Sequence, residues 1–486
     1  MRIGHLAAVA AVLVAGAELA TPQPATAGPG LVVGAVEDDV RAPTLVEAEA
    51  KMMVFRLAGF RAVRVTTHWT PGLDAPTDGE LQVLKSVAGA AEMNGVRVYV
   101  TVMHPGSRTT PLTDEARAEF ASYAATIVRE APYIRDVIVG NEPNLNRFWL
   151  PQFNADGSSA SPAAYLALLA RVYDALKAES TDVTVYGGAV SPHGGDKPGG
   201  IRPTHSPTRF IRELGAAYRA SGRTLPIMDA FAIHPYGDNS SQAPTVAHPL
   251  GTSIGIADYD KLVSLLGEAF DGTAQRGSTL PIFYGEFGVE SQIPSSKAGL
   301  YSGTEPAVTR PVSEPTQASY YEQALAMAFC QPNVAGIMIF HAQDEHERAG
   351  WQSGVRYVDG TPKSSLARVG EALDRTTGGS ISRCPGVQLV VRASGLRFGS
   401  RDAARRGIFR TSFSCTLDCL YELRVVKVGG ATKMVRRGRA EVDEPVEIQF
   451  APRRLAPGSY RYRLKLVHPV NPAAPTIREG AVFRLP

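Results

Sequence analysis

Cysteine is scarce in this chain: Cys330, Cys384, Cys415 and Cys419 are all it has in 486 residues. That excludes a disulfide-built scaffold and leaves room for two bridges at most. An excess of either charge is also missing. Lys+Arg number 50 against 47 Asp+Glu, a net +3, too even for wholesale nucleic-acid binding. No Gly-Lys dipeptide occurs, so there is no phosphate-cradling P-loop, and no Gly-x-Gly-x-x-Gly turn marks a dinucleotide fold. Internal repeats and low-complexity linkers are absent. Beyond the N-terminal run described next, no apolar stretch approaches the roughly 18 residues of a membrane span. What is there is 44% apolar and 20% charged, the balance of a folded chain rather than a disordered one.

The N-terminal apolar run is Leu6–Ala17, preceded by Arg2 and followed by Ala25-Thr26-Ala27. It is shorter than the about 20 residues a bilayer requires. A basic start, a short apolar core and a small-residue site match a secretory signal over residues 1–27; the competing reading is an uncleaved membrane anchor. The expectation is a secreted, extracellular, soluble monomer in a compartment that permits disulfides. Cys415 and Cys419 flank a possible tight hairpin, and Cys330 with Cys384 would tie the two halves of the chain together.

From Leu31 to about Leu373, β-branched apolar runs alternate with helix-length amphipathic stretches. The strand candidates are Leu31–Val36, Ala62–Thr67, Val96–Met103, Asp136–Gly140, Val183–Val190, Ala230–His234, Ile282–Gly285 and Gly336–His341. The helices between them are expected at Thr44–Leu57, Glu80–Met93, Asp114–Glu130, Pro162–Glu179, Pro207–Ala220, Asp258–Gly267, Gln317–Phe329 and Ser364–Leu373, with Ser161 capping the fourth. A strand followed by a helix, eight times over, is the arithmetic of a (β/α)8 barrel, here over residues 28–380. Long connections follow strands four to seven, on the face where such barrels carry their active sites. After about Arg383 helical periodicity stops. Short alternating runs at Val387–Val391, Tyr421–Val428, Val446–Phe450 and Ser459–Val467 predict a small all-β, Ig-like sandwich over residues 384–486. From Pro385 onward there are 19 Lys+Arg and 8 Asp+Glu, a net +11, which leaves −8 for the rest. Both halves can be simple solvated surfaces. The basic half, with Arg405-Arg406 and Arg436-Arg437-Gly438-Arg439, can also hold an anionic cell-envelope polymer; the competing reading is a sandwich that only buttresses the barrel.

Two glutamates stand at strand ends. Asn141-Glu142-Pro143 follows Val137-Ile138-Val139-Gly140, and Gly285-Glu286-Phe287-Gly288 follows Pro281-Ile282-Phe283-Tyr284. Strands four and seven lie nearly opposite in such a barrel, so both carboxylates reach one funnel. Glycosidic cleavage needs such a pair. Either glutamate alone would read as a salt-bridged rim residue; the pair at matched ends does not.

With these residues the chain resembles clan A of the glycoside hydrolases, the retaining enzymes on eight-stranded barrels. The run Asn141-Glu142-Pro143-Asn144-Leu145-Asn146-Arg147-Phe148-Trp149 is similar to family 39, and the overall pattern to family 5. The resemblance implies Glu142 as acid/base and Glu286 as nucleophile, with no cofactor and no metal. Asn141 would bind the sugar hydroxyl beside the reacting carbon. Gly59-Phe60-Arg61-Ala62-Val63-Arg64-Val65 resembles the clan's second strand and places Arg64 near the nucleophile. His234-Pro235-Tyr236 ends strand six, and in the clan a tyrosine there orients the nucleophile. Arg64 and His234 also read as satisfied polar core.

Clan members often carry a tryptophan at the end of strand eight, where this chain has Phe340-His341-Ala342-Gln343-Asp344-Glu345. Trp351, Trp69 or Trp149 are the alternative stacking surfaces. His68, Trp69, His104 and His341 are further pocket candidates. His341, Asp344 and His346 could hold a cation, although a polar pocket wall is the plainer reading. Gly251-Thr252-Ser253-Ile254-Gly255 matches a nucleophile elbow but lacks the preceding strand. His346-Glu347 has Gly350 where a zinc-protease motif needs histidine. The function expected is cleavage of O-glycosidic bonds in a poly- or oligosaccharide by double displacement. The alternatives are a transglycosylase and a catalytically silent carbohydrate-binding protein.

Overall fold

The computed structural model describes residues 28, 30–377, 391–416, 419–441, 444–450, 455–468 and 471–485. The first eight strands are β1 Val32–Val36, β2 Ala62–His68, β3 Arg97–Met103, β4 Asp136–Val139, β5 Thr184–Val190, β6 Ala230–Ile233, β7 Ile282–Phe287 and β8 Val334–Phe340. All pair in parallel and in chain order, and β8 closes on β1 with Val32 beside Gly336. Continuous apolar runs suit strands covered on both faces. Helices α1 Leu45–Leu57, α2 Asp78–Asn94, α3 Asp114–Glu130, α4 Ser161–Glu179, α5 Pro207–Ala220, α6 Tyr259–Phe270, α7 Glu314–Cys330 and α8 Ser365–Thr377 wrap the outside. The expected (β/α)8 barrel is present, with element ends displaced by a few residues.

Local chemistry starts most of these helices. Hydroxyls of Thr44, Thr77, Thr113, Ser206 and Ser313 each accept an amide hydrogen from the first turn. Ser161 is a correction. It is the first residue of α4 rather than its cap, and its buried hydroxyl donates to Gln152 Oε1 at 3.2 Å. Side-chain partners in the preceding loop outcompete the helix amides there.

The barrel is packed, not hollow. Tyr99 stacks on Phe283 at 4.7 Å between centroids, and Tyr186 meets both rings. At the N-terminal end, Asp136 is 2% exposed, held by Arg97 at 2.6 Å and by the Tyr186 hydroxyl at 2.9 Å. The floor is therefore closed, and access is from the C-terminal ends of the strands.

The second unit contains β9 Ala393–Phe398, α9 Ser400–Arg406, β10 Phe409–Cys415, β11 Cys419–Lys427, β12 Thr432–Ala440, β13 Val446–Phe450, β14 Gly458–His468, β15 Asn471–Glu479 and β16 Phe483–Leu485. A three-stranded sheet, β13-β10-β9, and a five-stranded one, β12-β11-β14-β15 with β16 on β14, enclose a separate core. That core includes Phe409, Phe413, Leu423, Tyr462 and Leu464. The sandwich is as expected; α9 is not, because its Ser-Arg-Asp-Ala-Ala-Arg-Arg run reads as a charged loop. Cys415 and Cys419 are bridged. Cys330 has no free thiol, while its expected partner Cys384, the boundary near Arg383, the signal over residues 1–27 and most of the expected strand Val387–Val391 lie outside the described residues. Among the described residues no helix is long and apolar enough to cross a membrane.

Candidate active site

The chain turns sharply as it leaves β4. Gly140 has φ +78°, a left-handed conformation that glycine adopts without penalty. Glu142 then takes φ +40°, and so does its partner across the strand ends, Ala189, at +46°. Such conformations cost about 1–3 kcal/mol each in residues with a Cβ and collect at functional sites. The Glu142 amide donates to Ala189 O at 2.8 Å and locks the pair together. Asn144 reinforces this corner. It is fully buried, accepts the Ser191 amide at 2.9 Å and donates to three carbonyls of the β5 loop. Asn144 is a positioning residue with no advance signal beyond its place in the run after β4.

Glu142 and Glu286 face one another. One oxygen of each and one ring nitrogen of His234 all lie within 4.8 Å of one another. Arg64, 2% exposed, donates to Glu286 Oε1 at 2.6 Å and to Gly285 O at 3.0 Å. Its other contacts are Thr101 Oγ1 at 2.6 Å and Asn141 Oδ1 at 3.4 Å. The Tyr236 hydroxyl donates to Glu286 Oε2 at 2.9 Å. His234 is fully buried, and its Nδ1 lies 3.1 Å from Glu142 and 3.5 Å from Glu286. Nδ1 is thus the ring atom that bridges the two carboxyl groups.

Burial pushes the Glu286 carboxyl up, but the charge interaction with His234, the Arg64 guanidinium and the Tyr236 hydrogen bond together hold it below the ordinary 4.5. Tyr236 moves the other way. Burial and the Glu286 charge raise it well above 10, so it stays a donor. The same three residues, Glu142, His234 and Glu286, are close enough to hold a cation. The guanidinium at 2.6 Å already compensates Glu286, so a metal would add charge to a balanced site.

Trp351, on the connection after β8, stacks on Tyr236 at 4.9 Å and meets Phe340 edge-on at 5.2 Å. It is half-buried and belongs to the mouth. Trp69 does not. It is fully buried against Phe120, with its indole N–H on Leu73 O. Trp149 is 1% exposed and packed on Tyr165. His104 is buried against Trp149 and bonded to Gly106 O at 2.8 Å, and burial lowers its pKa. Trp69, Trp149 and His104 therefore serve packing. His68 is exposed at the end of β2.

His341 stands on the wall, with Nδ1 donating to Val36 O at 2.9 Å and Nε2 3.7 Å from Glu345. Asp344 is no cation ligand. Lys363 reaches it at 2.7 Å and Tyr301 donates to its other oxygen, all inside the fold. Two carboxylates escaped the sequence reading. Glu37 follows β1 and accepts the Asp39 and Gln343 amides at 3.1 Å; burial raises its pKa although His341 opposes this. Glu290, 6% exposed, is pushed up by burial to about 8. Glu37 obeys the strand-end rule that found Glu142, so a signal existed. Glu290 lies four residues past Glu286 in a loop, and nothing local marked it for burial.

No family model matches the chain, and no curated protein does. Among solved structures, a mutant of Bacteroides uniformis beta-glucuronidase 2 aligns with 94% of this chain at 12% identity and TM-score 0.45. The chain spans 45% of that protein's length. A GH5_18 protein from Streptomyces cattleya, solved with GlcNAc, aligns with 72% of this chain and 80% of its own at 16% identity and TM-score 0.47. An exo-beta-1,4-mannosidase from an Opitutaceae bacterium aligns with 72% of this chain and 60% of its own at 17% identity and TM-score 0.45. These glycosidases are distant likenesses, and what the site does has to be argued from its own geometry.

Proposed function

We propose that this chain is a secreted retaining glycoside hydrolase acting on a poly- or oligosaccharide. One observation carries the reading: two carboxylates at the ends of β4 and β7 approach within 4.8 Å, and only one of them is clamped by arginine. Retaining enzymes hold their carboxyl groups about 5–5.5 Å apart, and inverting ones leave room for water at roughly 6.5–9.5 Å.

Glu286, kept ionised by Arg64 and Tyr236, attacks the anomeric carbon. Glu142 delivers a proton to the departing glycosidic oxygen, so the C–O bond breaks as the glycosyl-enzyme ester forms. Glu142, now ionised, takes a proton from water, which displaces Glu286 and restores both groups. His234 links the two carboxylates. The Trp351 ring, stacked on the tyrosine that holds Glu286, offers a face for the apolar side of a sugar.

The deciding experiment is proton NMR of the first-formed anomer on a glycan substrate. Retention is expected. Inversion, or no turnover across a panel of neutral glycans by the purified protein, would overturn the reading.

A further inference from the structure

The five-stranded sheet of the sandwich buries one face and displays the other. On β14, Tyr460, Tyr462, Leu464 and Leu466 are buried, while Arg461, Arg463 and Lys465 alternate with them and point away. The pairing register extends that outer face across the sheet. Lys465 lies beside Glu422, and Glu422 beside Arg437; Arg463 lies beside Arg424, and Leu420 beside Arg439. Among the described residues the face thus holds seven cations, Arg424, Arg437, Arg439, Arg461, Arg463, Lys465 and Arg484, against two carboxylates, Glu422 and Glu479.

Both carboxylates are already shared. Glu422 takes Arg424 at 2.5 Å and Arg437 at 2.6 Å, and Glu479 takes Arg461 at 2.7 Å and Arg463 at 3.7 Å. The pairs show these guanidinium groups poised for carboxylate, and among the described residues the cations on the face outnumber its carboxylates. Leu420, Val426, Val435, Val467 and Ile477 lie on the same face, with Thr432 and Ser459. None is aromatic, so the surface lacks the stacking platform that single-stranded nucleic acid uses.

We infer that this sheet face docks a carboxylated, polyanionic glycan. A grid of cations on two axes suits a repeating polymer better than a single ion. The polymer is an anchor and not the substrate. Residues before Pro385 carry a net −8, so that part of the chain repels a polyanion. The choice of a glycan over other polyanions rests on the glycosidase reading of the barrel; the docking surface does not.

The test uses the full chain and three probes: polygalacturonate, its methyl-esterified neutral form, and duplex DNA. Binding to polygalacturonate is expected at low salt. It should weaken about tenfold or more on moving to roughly 0.3 M salt, where screening sets in within a few ångströms. The neutral polymer should not bind, and DNA should bind more weakly. The triple variant R437Q/R463Q/K465Q should lose about tenfold in affinity with unchanged melting temperature and unchanged turnover of a small neutral glycoside. The single variant Lys465→Gln, with a smaller loss, covers the case in which the triple variant misfolds. No binding at low salt, unchanged affinity in a folded variant, or tighter binding to DNA would each overturn the proposal. Binding is read without catalysis, so an inactive barrel would sink the glycosidase reading and leave this result standing.

Discussion

Glu286 and Glu422 each accept an arginine hydrogen bond at 2.6 Å. Arg64, on the first, has 2% of its side chain exposed, and Arg437, on the second, has 71%. Distance is equal; surroundings are not. Opposite charges at 4 Å attract by about 1 kcal/mol in water and about 4 kcal/mol at the effective dielectric near a protein surface. Arg64 is further fixed by Thr101 and Gly285 and cannot swing away. In the barrel, one guanidinium sets the charge and direction of one carboxylate. In the sandwich, two arginines share one carboxylate, and the leftover charge faces outward. The same contact orients a buried strand-end carboxylate in one unit and sits on an exposed sheet face in the other.

The largest expected effect comes from removing the clamped carboxylate. Glu286→Gln should lower kcat by roughly 10⁴-fold or more, the scale of losing a nucleophile, with the melting temperature kept or raised. Glu142→Gln should spare substrates whose leaving groups need no proton and cripple those that do. An aryl-glycoside series, with leaving groups of graded acidity, separates the two variants. Equal sensitivity to the leaving group in both would break the assignment of roles.

Next comes the clamp. Arg64→Met leaves a buried carboxylate without its partner, a loss of about 3–5 kcal/mol in a dry core. The lower end is expected here, because Glu286 keeps 12% of its side-chain exposure. Glu286 is depressed below 4.5, so its ionised form contributes stability above that range and loses it as pH falls through the folded value. The acid limb of the kcat/KM profile should therefore move to higher pH in the variant. An unmoved limb would show that Arg64 does not set the charge of Glu286.

Most of the barrel was legible because its signals are local. A β-branched run ended by Asn141-Glu142 or by Gly285-Glu286 identifies both a strand and a strand-end carboxylate. Loop packing is not local. Trp69 and Trp351 look equally eligible in the sequence. Trp69 immediately follows β2 and turns into the helix layer under Phe120, whereas Trp351 lies far along the connection after β8 and returns to Tyr236. Its path depends on Lys363, which ties Asp344, Ser291 and the Gln352 carbonyl together. No spacing rule joins residues from three loops. Glu290 was missed for the same reason.

Glu290 provides the third test, since it is a buried acid without a guanidinium clamp. Burial raises its folded pKa to about 8, against 4.5 when free. The folded state therefore holds a proton that the unfolded chain releases. Its contribution is fully present below about 4.5 and is lost as pH rises toward 8. Glu290→Gln keeps the shape and removes the titration. The variant should match the parent near pH 5 and exceed it at pH 8, by on the order of 2 kcal/mol. Melting temperatures of both proteins across that range give the difference directly. A constant offset would mean that Glu290 is already ionised and solvated.

The smallest effect belongs to the exposed pair. In a double-mutant cycle with Glu422→Gln and Arg437→Gln, the coupling energy should fall below about 0.5 kcal/mol, and added salt should reduce it further. Two physical terms set that bound. Water screens the charges, and Arg424 remains on the other oxygen of Glu422 to take up the interaction when Arg437 is neutralised. Burial removes most of the screening between Arg64 and Glu286, where the Tyr236 hydroxyl is the donor left on the other oxygen and carries no charge, so a corresponding cycle should give a larger, salt-insensitive value. Urea unfolding of the four proteins at low and high salt measures the coupling. A salt-insensitive value above about 1 kcal/mol at Glu422–Arg437 would exceed the range of solvent-exposed pairs. The outer sheet face would then be braced by its own ion pairs, and its arginines would be less free to turn toward a polymer.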